Sequence, residues 1–156
     1  MTVTVIGVDG VALPGGAADL IAGARLVVGG RRHLERHVGG AVPTLELGPI
    51  DEALRVLPAY AGDRAAEHAV VLASGDPGFF GIVRALRAAS IPIAVAPAVS
   101  SVQRIAALVG RSWDDVTVVS AHGRDLGPAL NVCRTHRVVA VLTGPGAGPV
   151  ELALRR

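Results

Sequence analysis

The sequence predicts an α/β fold in which a parallel sheet carries helices on both faces. Short runs rich in Val and Ile alternate along the chain with segments of helical period, and this alternation is typical of parallel sheets. Gly and Pro gather at the joints between the two kinds of segment, as at Gly29-Gly30 and Gly39-Gly40. With 51% hydrophobic and 18% charged residues, the 156-residue chain is well able to bury a core.

Strands are predicted where β-branched residues cluster, because such side chains pack well on a pleated, buried surface. The runs that meet this criterion are Thr2–Val8, Leu26–Val28, Val42–Leu47, Ala69–Ala73, Ile91–Ala96, Val116–Ser120 and Val138–Leu142. Helices are predicted between them, where apolar residues recur with a period of about 3.6. The clearest of these segments are Ala17–Ala24, Asp51–Tyr60, Phe79–Ala89, Ser101–Val109 and Leu126–Arg134.

A domain boundary is predicted near residue 112, which divides the chain into an N-terminal α/β domain, 1–112, and a second α/β domain, 113–156. The helix before this boundary ends at Gly110, a residue type that terminates helices well. Only two strand-like runs and one full helix follow, which is too little to bury a separate sheet. Two interpretations remain open: these elements extend the first sheet, or the second domain is truncated because the chain is a fragment of something longer.

Composition excludes several classes of partner and indicates a cytoplasmic protein. No apolar run approaches the roughly 18 residues of a membrane helix, and the N-terminus lacks the layout of a signal peptide. Cys133 is the only cysteine, so no internal disulfide can form, as suits a reducing cytoplasm. All 15 basic residues are Arg, yet they are scattered among acidic residues, and only 3% of residues are aromatic. Nucleic acid is therefore not expected as a partner.

The loop Ser74-Gly75-Asp76-Pro77 follows a predicted buried strand, at the end where ligands bind in open parallel sheets. One interpretation is helix capping alone, with Asp76 as the N-cap and Pro77 as the first helical residue. The other is a binding loop, because Gly75 allows a ligand to approach the backbone. The pair Phe79-Phe80 favours the second interpretation, since two aromatic rings beside a polar turn can line an apolar pocket.

Three further loops of small residues follow predicted strands. Ser100 and Ser101 either cap the next helix or contact a ligand. His122, in the stretch Ala121-His122-Gly123-Arg124, is a candidate base, a hydrogen-bond donor to a substrate or a structural loop residue. Thr143-Gly144 follows the last predicted strand.

Common cofactor and catalytic motifs are absent from the sequence. The stretch GPGAGP lacks the third glycine of a dinucleotide-binding loop, there is no Lys for a phosphate-binding loop, and no Gly-x-Ser-x-Gly elbow occurs. His33 and His37 have the spacing of two metal ligands on a helix, but no third ligand is evident, so no metal site is predicted. The residues by themselves indicate an α/β protein that binds a ligand at the ends of its strands.

Taken together, these loops resemble those of the tetrapyrrole methylase family, which uses S-adenosylmethionine. The opening stretch VTVIGVDG resembles the family's first strand and glycine-rich turn, and the stretches SGDPGFFG, PAVSS and Thr143-Gly144 resemble its cofactor loops. The resemblance covers nearly the whole chain. The cofactor-binding residues that it implies are Gly7, Ser74, Gly75, Asp76, Phe79, Ser100, Ser101, Ala121 and Thr143. The chain departs from the family at its short first turn and at Ala98, where glycine is common.

Within the family, the chain is most similar to the branch that acts on precorrin-6Y in cobalamin biosynthesis. The stretches that carry this similarity are VVGGRRHLE at 27–35, the segment 100–124 and VLTGPGAGPVELA at 141–153. The resemblance implies methylation of the precorrin at C-5, a homodimer and, in a fused form, a further domain that methylates C-15 and decarboxylates an acetate side chain. Two alternatives remain open: a methylase for a different corrin precursor, and a non-catalytic fragment that binds S-adenosylmethionine.

A precorrin carries many carboxylates, and arginine binds carboxylates through parallel hydrogen bonds. The substrate-binding residues implied are therefore those basic side chains that lie at or beside the predicted loops, namely Arg31, Arg32, His33 and Arg124. The alternative for each arginine is a solvent-exposed surface position. His122 is the first candidate for the catalytic base that accepts a proton after methylation.

Overall fold

The computed structural model describes residues 2–10, 12–61 and 68–155 of the chain. They belong to two compact units, Met1–Ser101 and Val102–Arg156. The predicted domain boundary near residue 112 lies farther along the chain and stays a prediction. Across the described residues, no helix combines the length and the apolar character that crossing a membrane requires.

The first unit is built around a parallel sheet of five strands: β1 (Val3–Val8), β2 (Leu26–Gly29), β3 (Thr44–Glu46), β4 (Ala69–Ser74) and β5 (Ile93–Ala96). Their order across the sheet is β3-β2-β4-β1-β5, and all neighbours run parallel. The helices between them are α1 (Ala17–Ala22), α2 (Arg31–His37), α3 (Ile50–Val56), which continues into a 3₁₀ turn at Leu57–Tyr60, and α4 (Ile82–Ala88).

Alternate residues of the central strands are buried on opposite faces of this sheet. One set packs with α3 and α4 in a cluster that includes Val3, Val5, Val28, Val71, Ala53 and Leu86. The other set packs with α1 and α2 in a cluster that includes Ile6, Val8, Val27, Val70, Ile21 and Leu34. Because neighbouring residues of a strand point to opposite faces, a sheet buried on both sides requires unbroken apolar runs. The predicted parallel sheet with helices on both faces is confirmed.

The chain changes direction within the sheet between β1 and β4. These strands are neighbours, with Val8 opposite Ser74, but the chain leaves β1 toward β2 on one side and leaves β4 toward β5 on the other. The helices that follow them, α1 and α4, cover opposite faces of the sheet. In open α/β sheets a crevice forms at the carboxyl ends of two such strands, and ligands bind in it. The loops after β1 and β4 therefore lie where a ligand site is expected.

The second unit contains a parallel pair of strands, β6 (Thr117–Ser120) and β7 (Val139–Leu142). Helix α5 (Ser101–Leu108) precedes them, and α6 (Gly127–Thr135) and α7 (Pro149–Leu154) follow one strand each. A small cluster of buried side chains packs with these strands and consists of Ala121, Leu126, Ala129, Leu130 and Ala147. Among the described residues β6 and β7 form a sheet of their own, so the interpretation that they extend the first sheet is wrong.

Helix α4 begins at Ile82, three residues after the predicted start, and Asp76 does not cap it. The Asp76 carboxylate instead accepts a hydrogen bond from the backbone N–H of Gly78 at 2.8 Å. The N–H of Phe79 donates to the Asp76 carbonyl at 3.1 Å. These bonds close a turn before the helix starts. The interpretation of this loop as helix capping alone is therefore wrong.

Helix α4 ends at Ala88, and Ser90, two residues later, has a costly backbone conformation. Ser90 has a φ of 57°, and the N–H groups of Ser90 and Ile91 donate to the carbonyls of Arg87 and Leu86. Glycine normally occupies the left-handed position of this helix-ending pattern. Gly110, with a φ of 63°, occupies it after α5, as the sequence predicts.

We expect Ser90→Gly to raise the free energy of unfolding by about 0.5–1 kcal/mol, because glycine adopts this conformation without steric cost. Urea denaturation measures the change. Gly110→Ser is the reciprocal control and should lower the free energy of unfolding by a similar amount. A destabilised Ser90→Gly protein would contradict the left-handed conformation of Ser90.

Candidate functional site

Three loops of the first unit meet around Gly7, near the carboxyl end of β1. A Cβ at position 7 would lie against the carbonyl oxygen of Gly75, 2.6 Å from the backbone nitrogen of Ala98 and 2.9 Å from its Cβ. These separations are shorter than real Cβ atoms tolerate, and two of the three neighbours are backbone atoms. The loops that follow β4 and β5 are therefore held against β1 with no space for a side chain.

Gly75 joins two of these loops directly. Its N–H donates to the carbonyl of Val8 at 2.8 Å, and its φ of 65° lies in the left-handed region. A Cβ at this position would lie 3.3 Å from the Cα of Ser100, whose side chain is buried. The predicted cofactor residues of the first unit thus lie in contacting loops at one edge of the sheet.

The aromatic pair of the β4 loop is held in a strained conformation. The rings of Phe79 and Phe80 meet edge to face, with centroids 5.1 Å apart. Phe80 has a φ of 56°, which is costly for a bulky residue, and a Cβ on Gly81 would lie 2.5 Å from the carbonyl oxygen of Pro77. Strain of this kind is concentrated at binding sites. With Phe80 45% exposed, the loop presents apolar surface beside its polar turn.

Ser74, the last residue of β4, makes two polar contacts with α2. Its Oγ lies 2.9 Å from Nη2 of Arg32 and 2.8 Å from Nε2 of His33. Burial lowers the pKa of the His33 imidazole, and the charge of Arg32 and the neighbouring His37 lower it further. His33 is therefore neutral at pH 7, and its Nε2 can accept the Ser74 hydroxyl hydrogen while Arg32 donates to a lone pair of the same oxygen.

Arg31 and Arg32 are adjacent in the chain but have different partners. Arg31 forms an ion pair with Glu46 of β3 at 3.2 Å, and both side chains are largely exposed. Pairs of this kind add little to stability. Arg32 contacts Ser74 and forms no ion pair with a carboxylate among the residues that the structure describes. Arg32 is therefore the better placed of the two to bind an added anion, and the prediction that Arg31 binds substrate stays a prediction.

In the second unit, the loops after β6 and β7 contact each other through His122 and Thr143. Nδ1 of His122 lies 3.0 Å from the carbonyl oxygen of Thr143. Since a carbonyl can only accept a hydrogen bond, Nδ1 carries the hydrogen, and Nε2 of the neutral ring holds a lone pair. A Cβ on Gly144 would lie 2.8 Å from the same Nδ1. This contact leaves an exposed imidazole with one nitrogen able to accept a proton.

The neighbours of His122 differ in their surroundings. Ala121 is buried, and its N–H donates to the carbonyl of Leu142 at 2.9 Å, so that it continues the pairing of β6 with β7. Arg124 is exposed on the turn that follows. The prediction that Ala121 and Thr143 bind the cofactor, which the family resemblance implies, stays a prediction.

Near the first unit's loops, Arg36 was not indicated by the sequence alone, and His37 was considered only as a metal ligand. Helix α2 places Arg36 and His37 one turn beyond Arg32 and His33, and the spacing of four residues is the only signal that could have indicated this. The rings of His33 and His37 stack with centroids 6.3 Å apart. Within the described ranges, no group of three His, Cys, Asp or Glu side chains could hold a metal ion.

The match to known proteins covers almost the whole chain. Residues 10–155 match the family described as tetrapyrrole (corrin/porphyrin) methylases. The chain belongs to the tetrapyrrole methylase family. The predicted family is confirmed.

Two curated relatives are methyltransferases that act on precorrins. A precorrin-6Y C(5,15)-methyltransferase (decarboxylating) from a Sinorhizobium species is 41% identical over 160 residues, which are 98% of this chain and 37% of that protein. A cobalt-precorrin-7 C(5)-methyltransferase from Salmonella typhimurium is 33% identical over 139 residues, which are 88% of this chain and 67% of that protein. The chain thus spans little more than a third of the length of the first relative.

Two solved structures share the fold of this chain. The crystal structure of a precorrin-6Y methylase from Archaeoglobus fulgidus matches with a TM-score of 0.63 and 28% identity, over 91% of this chain and 73% of that one. The methyltransferase CobJ matches with a TM-score of 0.65 and 19% identity, over 85% of this chain and 62% of that one, and at this identity it supports the fold alone.

Proposed function

We propose that this chain is an S-adenosylmethionine-dependent C-methyltransferase that methylates a precorrin at C-5 in cobalamin biosynthesis. Membership of the methylase family supports this function, and so do the relatives named as methyltransferases of precorrin-6Y and of cobalt-precorrin-7. The structural observation that supports it most is the meeting of three loops at Gly7, beside the point where the chain changes direction in the sheet.

The residues at this edge fit a ligand that has both polar and apolar parts. Gly7 and Gly75 let the loops contact each other with no side chain between them, so backbone groups of three loops come together at this edge. Polar side chains of the same loops can pair with buried ligand groups, which would otherwise cost about 1–3 kcal/mol each. The residues that we assign to the cofactor are Gly7, Ser74, Gly75, Asp76, Phe79, Ser100, Ser101, Ala121 and Thr143.

S-adenosylmethionine supplies an electrophilic methyl group when it is bound. The residues of the chain then have to align the substrate carbon, exclude water and remove the proton that this carbon loses. We assign the last task to His122. Its Nδ1 donates to the Thr143 carbonyl, so the lone pair on Nε2 is free to accept a proton.

We assign the binding of the substrate carboxylates to Arg31, Arg32, His33 and Arg124. Arg32 and His33 have the strongest support, because they contact Ser74 at the carboxyl end of β4. The guanidinium group of Arg32 forms charge-assisted hydrogen bonds with carboxylates. Arg31 would bind substrate only by sharing its guanidinium group with Glu46.

We further propose that the protein is a cytoplasmic homodimer. In and directly after α5, Ile105, Leu108 and Val109 have 60%, 79% and 66% of their surface exposed to solvent. Exposed apolar surface of this kind is typical of subunit contacts. The greater length of the Sinorhizobium relative, and its name, support a partner domain that methylates C-15 and decarboxylates the substrate. Sedimentation equilibrium tests the dimer, and the mass of a single chain would contradict it.

Incubation with precorrin-6Y and isotope-labelled S-adenosylmethionine tests the activity. We expect mass spectrometry to find one labelled methyl group on the pigment, with NMR assigning it to C-5, and no transfer without the protein. Earlier corrin precursors serve as competing substrates. Preferential methylation of one of them would mean that this precursor, and not precorrin-6Y, is the substrate. Calorimetric binding of S-adenosylhomocysteine without transfer to any precorrin would indicate a non-catalytic binding protein and contradict the proposed activity.

A further inference from the structure

A small pocket lies beside the glycine-rich edge of the first unit. Its volume is about 120 Å³, and its lining residues are Gly10, Arg32, His33, Arg36 and His37. Gly10 lies in the loop that follows β1, and the other residues belong to α2, which follows β2. Nη1 of Arg36 donates to the Gly10 carbonyl at 3.0 Å, so this bond joins the helix to the loop. The pocket therefore lies at the same carboxyl edge of the sheet as Ser74.

The lining of this pocket is positively charged and contains no acidic residue. Arg32 donates to the Ser74 hydroxyl and Arg36 to the Gly10 carbonyl, and neither forms an ion pair with a carboxylate in the part of the chain that the structure describes. Asp9, next to Gly10 in sequence, accepts a hydrogen bond from the N–H of Ala12 at 3.1 Å. Two uncompensated guanidinium groups on one pocket attract an anion.

His37 adds an observation that is independent of charge. Its Nε2 is buried and has no hydrogen-bond partner among the described residues. Burial lowers the pKa of this imidazole, and the charge of Arg36 lowers it further, so the ring is neutral at pH 7. A neutral ring with hydrogen on Nε2 can donate to an anion in the pocket. A ligand oxygen would thus satisfy an atom that the protein leaves without a partner.

We propose that this pocket binds one carboxylate side chain of the tetrapyrrole substrate and thereby orients the macrocycle at the methylation site. The identity of the ligand rests on the proposed function. At about 30 Å³ for each water-sized group, the pocket holds about four heavy atoms, which is the size of an acetate side chain. The macrocycle itself is far larger and would remain outside the pocket.

The methionyl carboxylate of the cofactor is the other possible source of such a group. That carboxylate carries an ammonium group on the adjacent carbon, and the side chains of the pocket offer this cation only guanidinium and imidazole groups, with the Gly10 carbonyl already accepting from Arg36. Repulsion of the ammonium group therefore disfavours the cofactor. A substrate side chain brings a carboxylate on an uncharged methylene and meets no such repulsion.

Acetate is a direct probe of the pocket. We expect acetate to shift the ¹⁵N signals of the His33 and His37 rings saturably in the full chain, beyond the effect of chloride at the same ionic strength. Arg36→Gln should raise the dissociation constant for acetate about tenfold, because one of the two charged partners of the anion is lost. Arg55→Gln removes an exposed arginine of α3 and should leave acetate binding unchanged. Absence of a saturable shift in the unaltered protein would overturn the proposal.

Kinetics with both substrates distinguish the source of the carboxylate. We expect Arg36→Gln to raise KM for the precorrin about tenfold, with kcat and KM for S-adenosylmethionine each changed by less than about twofold. A raised KM for S-adenosylmethionine alone would assign the pocket to the cofactor and overturn the proposal. If acetate binds as expected but no tetrapyrrole is methylated, the proposed activity fails and the carboxylate pocket stands.

Discussion

Gly7→Ala is expected to lower methyl transfer at least about 100-fold, because a displacement of about 1 Å in a reaction site has an effect of this size. The added Cβ would overlap the Gly75 carbonyl oxygen and lie 2.6 Å from the Ala98 nitrogen. Both are backbone atoms, so the overlap can be relieved only if the loops move apart. We also expect the free energy of unfolding to fall by about 1–3 kcal/mol, as in other overpacked sites. Single-turnover kinetics and urea denaturation measure the two effects.

Gly48→Ala is the matched control for this substitution. No atom lies within 4 Å of a Cβ at position 48, and the residue is not in the left-handed region. Its stability should change by less than about 0.5 kcal/mol, with activity unchanged. Ala98→Gly in the Gly7→Ala background removes the contact with the Ala98 side chain but neither backbone contact, so we expect it to restore only part of the activity. Full activity of Gly7→Ala would mean that these loops do not form the reaction site.

His122→Ala should slow single-turnover methyl transfer about 10²–10⁴-fold if this residue removes the proton. The side chain is exposed and forms a hydrogen bond to the Thr143 carbonyl, so stability should change little. His122→Gln keeps a donor for this carbonyl but has no basic nitrogen, and we expect it to be as slow as the alanine variant. The expected loss therefore comes from the missing base and not from a disturbed loop.

His136→Ala is a suitable control, because His136 is an exposed histidine of the same unit that follows α6. It should retain the rate of the unaltered protein. If His122→Ala transfers methyl groups in a single turnover at that same rate, the base lies elsewhere. His122 would then be a structural residue of its loop.

The strands of the first unit could be predicted from the sequence more readily than its helices. β1 is apolar except for Thr4, and β4 is apolar up to its last residue, Ser74; such nearly continuous runs are typical of a sheet covered on both faces. Helix α2 was not predicted, because its sequence RRHLERH contains Leu34 as its only aliphatic residue and therefore has no apolar period. Its polar contacts with Ser74 and Gly10 involve residues far away in the sequence.

The start of α4 was predicted three residues too early for a local reason. Pro77 after Asp76 is compatible with the first turn of a helix and also with a turn that the Asp76 side chain closes. Only the observed bond from Gly78 to Asp76 decides between them. The sequence also left open whether the last two strands join the first sheet, because strand pairing over a long separation has no local signal.

The sequence by itself determined the α/β class, the small-residue loops at the ends of the strands and the family. The first two follow from local patterns, since side-chain period and turn chemistry act over a few residues. The family was indicated by the resemblance of the loop stretches to those of tetrapyrrole methylases. The tertiary structure decided which loops meet. The order β4-β1-β5 brings Gly7, Gly75 and Ala98 into contact, although they are widely separated in the chain. It also brought the basic side chains of α2 to Gly10 and Ser74, because pockets are formed by the pairing of distant strands and not by any one segment.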